Sequence, residues 1–246
     1  MRFLIIVACL LSDKFIPHQL QTLRKSWLGY FTNTIRKLTP PTVLNASPLN
    51  LYGIVLGSLI LVCSSFYSLK SISILFMLNF LFELSVFYLC LGEHNLFYMN
   101  SNTSEHLSIL DYIYAINQEV VAVSLWFFIF GPVGALIYRV TLEFAKIQTF
   151  EKTIVQLCQI LDWLPTRITA LLFLMVGQFH PGFTSYIKLF CKKPGQNYQV
   201  LATMAEYALQ EKTLDNIEVA RLEGLYSHAC LLLLFLMAVF MIGKII

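Results

Sequence analysis

Five stretches of roughly twenty residues run along this chain with almost no charge in them, and any fold must find surroundings for them. A helix crosses the hydrocarbon layer of a bilayer with about 20 mostly apolar residues. Residues 50–69 carry no charge, 72–91 carry only Glu83, and 119–138 are apolar from Val120 onward. Residues 161–179 place Asp162 and Arg167 ahead of a clean apolar half, and 226–246 hold an uncharged core from Ala229 to Gly243. Charged residues make up 13% of the chain, against about 25% in soluble domains. With 57% of residues in the AVILMFWYC set and a mean hydropathy of +0.69, too little polar surface is left to coat a compact globule. The same arithmetic excludes a disordered chain and a disulfide-rich secreted domain. The net charge of +3 comes from scattered basic residues, so no nucleic-acid partner is expected. The expected partner is the lipid bilayer.

These stretches imply an all-α, polytopic membrane protein with four or five transmembrane helices and amphipathic interfacial helices. One domain, 1–246, is expected. Residues 1–49 read as an amphipathic N-terminal region: a short apolar run (MRFLIIVACLL), then a basic stretch to about Arg36, ended by Pro40-Pro41. The apolar run is too short ahead of Cys9 for a cleaved signal peptide. Residues 50–91 form a helical hairpin and 92–118 a polar loop without Lys or Arg. Residues 119–179 form the membrane core, including an amphipathic helix at 141–160, where apolar residues recur every three or four positions. Residues 180–225 read as a soluble helical segment with Asn197 as a helix N-cap, and 226–246 as a C-terminal membrane helix. Counting Lys and Arg puts 11 on the side of residues 1–49, 92–118 and 180–225 and 5 on the other. This favours a cytoplasmic N-terminus.

Familiar catalytic and nucleotide-binding strings are missing: GxxxxGK[ST], GxSxG, HExxH and GxGxxG do not occur. No catalytic residue, cofactor or metal is therefore expected. The six cysteines form no CxxC pair and read as small apolar residues. Glu93-His94, Glu105-His106 and Asp111 read as solvated loop groups rather than a cation site. Polar residues in apolar context carry the remaining information, because a bilayer makes them costly. Glu83 reads either as a packing acid bonded to Asn79 or as a pocket residue. Gly131-Pro132-x-Gly134 predicts a helix kink with close helix approach, followed by Arg139, which either snorkels or binds an anion. Asp162 and Pro165 suit the first turn of a helix, leaving Arg167 for Glu83 or a ligand. Gly53-xxx-Gly57 reads as a close-packing motif.

The strings GPVGALIYR at 131–139 and LDWLPTRITALLF at 161–173 resemble the AmpE family, within the wider group that includes the CobD/CbiB proteins. NYQVLATMAEYAL at 197–209 and the final apolar helix are similar to AmpE in particular. The resemblance implies a regulatory protein of the bacterial inner membrane, multi-pass, linked to β-lactamase induction and paired with an amidase pathway of cell-wall recycling. It implies no established catalytic chemistry. The alternative is an ATP-dependent amide synthase of cobalamin biosynthesis, as in the CobD/CbiB relatives. Those carry an Asn-rich segment with Asp-Gly where this chain has Asn117-Gln118-Glu119, a departure that weakens the synthase reading. The expected site is a polar pocket at one membrane face holding Asn117, Glu119, Arg139 and Arg167. There the two arginines clamp an anion, a wall-recycling intermediate, and Glu83 supports them.

Overall fold

The computed structural model describes residues 2–12, 18–38, 48–68, 75–92, 109–146, 152–210 and 219–243. Among these residues all regular structure is helical and no strand occurs. The elements are α1 (Arg2–Ser12), α2 (His18–Leu38), α3 (Pro48–Ser68), α4 (Leu75–Cys90), α5 (Ile109–Ile116), a π-helical turn (Asn117–Ala122) and α6 (Val123–Phe130). They continue with α7 (Pro132–Lys146), α8 (Lys152–Val176), α9 (Phe179–Phe190), a 3-10 turn (Pro194–Gln196), α10 (Asn197–Leu209) and α11 (Val219–Gly243). Pro40-Pro41 and the two Glu-His pairs lie outside the described residues. Among the described residues three helices are long and apolar enough to cross a membrane: Asp111–Phe130, Lys152–Val176 and Arg221–Gly243. Shorter apolar helices run over Arg2–Ser12, Leu49–Ser65 and Met77–Cys90.

Several boundaries differ from the sequence pattern. The polar loop expected at 92–118 gives way to helix by Ile109, and Ile113 and Ile116 bury an apolar face there. The span expected at 119–138 does not run through Pro132. The chain leaves α6 at Gly131, whose φ of +75° favours glycine, and Pro132 opens a new helix at the position where its missing N–H is not needed. A Cβ on Gly134 would lie 2.5 Å from the Trp126 carbonyl oxygen, eight residues back, so α7 folds back against α6. The predicted kink is thus a full reversal. The amphipathic stretch 141–160 is shared between α7 and α8, with 147–151 outside the described residues. Because α8 begins at Lys152, Asp162 and Pro165 lie inside a helix rather than in its first turn.

The chain forms two compact units, Met1–Glu93 with Val123–Cys158, and His94–Ala122 with Gln159–Ile246. In the first, α1 packs on α4 and α6, α2 on α3 and α4, and both α3 and α4 on α7. Trp27 donates to the Leu89 carbonyl at 2.8 Å, Tyr52 and Thr141 share a hydroxyl bond at 2.9 Å, and the Phe87 and Phe127 rings meet at 4.6 Å. Lipid tails are as apolar as leucine, so helices in a bilayer associate through close packing and such bonds rather than through escape from water. Among the described residues nothing lies within 4 Å of a Cβ built on Gly53 or Gly57, so neither supplies close packing there.

In the second unit, α8 from Gln159 onward forms a layer with α9 and α10, while α10 also packs on α5 and α11. Ala170 and Leu174 of α8, Tyr186 of α9 and Val200 and Met204 of α10 make its core. Close approach is built in at Gly182, where a Cβ would overlap the Leu174 side chain, and at Gly177, where it would overlap the Ala208 backbone.

Candidate functional site

The second unit turns its polar groups inward. Asp162 is fully buried, and its Oδ2 accepts from the Tyr114 hydroxyl at 2.9 Å and from the Gln118 amide at 2.6 Å. One and two helical turns further along α8, Thr166 Oγ1 accepts from Asn117 Nδ2 at 3.4 Å and Thr169 donates to Asn117 Oδ1 at 2.6 Å. Asn117, Thr166 and Thr169 are buried, as is Glu119. Asn117, Gln118 and Glu119 all belong to the π-helical turn, which widens the helix by one residue per turn and is frequent at functional sites. Pro165 sits within this cluster. It cannot donate to the helical ladder, while its carbonyl accepts a second bond from Thr169 at 3.0 Å.

On the neighbouring face of α8, Arg167 is 1% exposed and reaches three acceptors of its own unit. Nη1 donates to Asn197 Oδ1, Nη2 to the Lys192 carbonyl at 3.0 Å, and Nε to the Phe190 carbonyl at 3.4 Å. Its carbon Cζ lies 5.1 Å from the centre of the Trp163 ring, and Trp163 itself donates to the Lys192 carbonyl at 3.2 Å. Phe190 ends α9, so a guanidinium and an indole close the carbonyl end of that helix, where a cation complements the dipole. Asn197 is not the N-cap the sequence suggested. It is the first residue of α10, and its amide also donates to the Gln159 carbonyl at 2.8 Å.

Arg139, on α7 of the first unit, is 5% exposed and pairs with Glu143 one turn along at 2.9 Å through Nη2. Its Nη1 is buried without a hydrogen-bond partner among the described residues. Glu83 is half-buried on α4 of the same unit, and no hydrogen bond or ion pair joins it to Asn79 or to another described residue. Of the five residues expected to share a pocket, Asn117, Glu119 and Arg167 thus belong to one unit and Arg139 and Glu83 to the other. Arg167 spends its donors on an amide oxygen and two backbone carbonyls of its own unit. Among the described residues no group of three or more His, Cys, Asp or Glu is spaced to hold a metal.

Tyr114, Gln118, Thr166, Thr169 and Trp163 complete the cluster, and the linear pattern marks none of the first four as a site residue and Trp163 only as a membrane anchor. The threonines are spaced three apart on α8, a same-face signal, but a lone Thr in an apolar helix usually bonds its own backbone and attracts no notice.

Long apolar helices that keep amides, hydroxyls and a carboxyl group between them define a helical membrane protein. Within that class, residues 99–245 match the family described as regulatory signalling modulator protein AmpE. The match covers more than half of the chain, and the chain belongs to the AmpE family. It takes in every described helix from α5 to α11. No curated protein and no solved structure matches.

Proposed function

We propose that this chain is a multi-pass regulator of the bacterial inner membrane, acting in β-lactamase induction, and that it responds to an anionic intermediate of cell-wall recycling. Its membership of a family of regulatory signalling modulators supports the role. In this reading α3 and α4 cross the bilayer beside the three longer apolar helices, which gives five spans. The observation that carries the ligand's charge is Arg139, a cation held nine-tenths buried with one guanidinium nitrogen unpaired. An unmet charged donor costs on the order of 1–3 kcal/mol, and an incoming anion would recover it. Arg167 serves to shape the second unit.

The test is β-lactamase induction in cells carrying Arg139→Gln or Arg139→Lys, with the membrane abundance of each variant measured alongside. The expected result is loss of induction for Arg139→Gln at unchanged abundance, with partial recovery for Arg139→Lys. Full induction in both variants would remove Arg139 as the ligand contact.

A further inference from the structure

Helix α9 combines features that make little sense in water. Phe179, Phe183, Ile187 and Phe190 recur at helical spacing along one face and are 45%, 37%, 56% and 40% exposed. Phe179 and Phe183 stack at 4.8 Å. The other side of α9 is fixed to α8 in antiparallel sense at three levels. Gly182 lies against Leu174, the Tyr186 hydroxyl donates to the Arg167 carbonyl at 3.1 Å, and the Phe190 and Trp163 rings meet at 5.6 Å. α9 therefore runs back beside the apolar half of a membrane span instead of leading away from it. Its 12 residues extend about 18 Å, and the 13 residues of α10 return about 20 Å, against about 30 Å for a hydrocarbon core.

A helix that ends within a bilayer must have its last carbonyls satisfied by protein, since no water is there to do it. That is what Arg167 and Trp163 supply at Phe190 and Lys192. The apex between α9 and α10 carries Lys192 and Lys193 at the level of Trp163, and long basic side chains can snorkel from such a depth toward the surface. No Asp or Glu occurs from Trp163 to Ala205, so nothing on this stretch would repel anionic headgroups.

We propose that α9, its apex and α10 form a re-entrant hairpin embedded in the bilayer beside α8. The Phe179–Phe183–Ile187 stripe faces acyl chains, and the apex lysines extend toward the far leaflet. The segment read from sequence as soluble is then part of the membrane body. This inference rests on the membrane reading alone and is independent of the ligand proposed for Arg139.

Cys191 is exposed at the apex while the other five cysteines are buried, which makes site-directed labelling straightforward. The full chain carrying Cys191→Ser with Phe183→Cys receives an environment-sensitive fluorophore and is placed in vesicles of phosphatidylethanolamine and phosphatidylglycerol. Lipids brominated on their acyl chains are expected to quench most of the emission, and aqueous iodide is expected to leave it unchanged. Quenching by iodide alone puts α9 in water, and quenching by neither puts a protein partner over the stripe. Either result overturns the proposal. Ile187→Cys gives the same reading should the first variant not fold. A second arm uses an impermeant maleimide added from one side. It is expected to label Gln178→Cys (in the Cys191→Ser chain) but not Cys191 of the unsubstituted chain. Equal labelling of both from one side overturns the hairpin.

Discussion

At Gly131 the chain folds from α6 back along α7, and between Cys191 and Gln196 it turns from α9 toward α10; an arginine distant in sequence closes the helix end at each place. In the first unit Arg2 donates to the carbonyls of Phe128 and Ile129 at 3.4 and 3.1 Å, and its guanidinium lies across Gly131. In the second unit Arg167 reaches Phe190 and Lys192 and in addition grips Asn197. The chemistry is the same and the surroundings are not. Arg2 is half-exposed, whereas Arg167 is enclosed on all sides. A charge–dipole contact open to solvent contributes a few tenths of a kcal/mol to about 1. A buried guanidinium with three acceptors cannot be removed without stranding each of them.

The comparison makes graded predictions, all read as thermal or denaturant unfolding in detergent. Arg167→Ala should be the most damaging, costing about 3–5 kcal/mol, because the last carbonyls of α9 and the Asn197 amide lose their partner together. Arg167→Lys should recover less than half of that, since a single ammonium cannot reproduce the planar fork. Gly131→Ala should cost about 1–2 kcal/mol, from the positive φ and from crowding of the Arg2 guanidinium at 3.0 Å. Arg2→Ala should cost about 1 kcal/mol or less and should lose that effect in high salt. Were Arg2→Ala to prove as damaging as Arg167→Ala, the distinction between an open and an enclosed cap would fail.

The helical class and the family are legible in the sequence, and Arg139 and Arg167 draw attention there because charges in apolar runs stand out by composition alone. Partners and boundaries were harder to see. Pro165 looks like a helix start in a linear reading, and only the packing of Thr169 and Asn117 around it explains how it sits inside α8. Asn197 looks like a cap because asparagine caps helices, yet its side chain is claimed by an arginine thirty residues earlier. Gly131-Pro132 was legible as a disturbance. Its size was not, since a kink and a reversal share the same two residues and differ in what Gly134 meets.

The π-turn at Asn117–Ala122 has a geometric consequence of its own. One surplus residue in a helix rotates everything beyond it by about 100° around the axis. Within the second unit the turn thereby brings Asn117 and Gln118, with Tyr114, round to Asp162, Thr166 and Thr169. Its spelling is therefore constrained in length as well as in chemistry: dropping a single residue from the turn would remove the surplus that sets these faces, an injury that no exchange of side chains at that position could match.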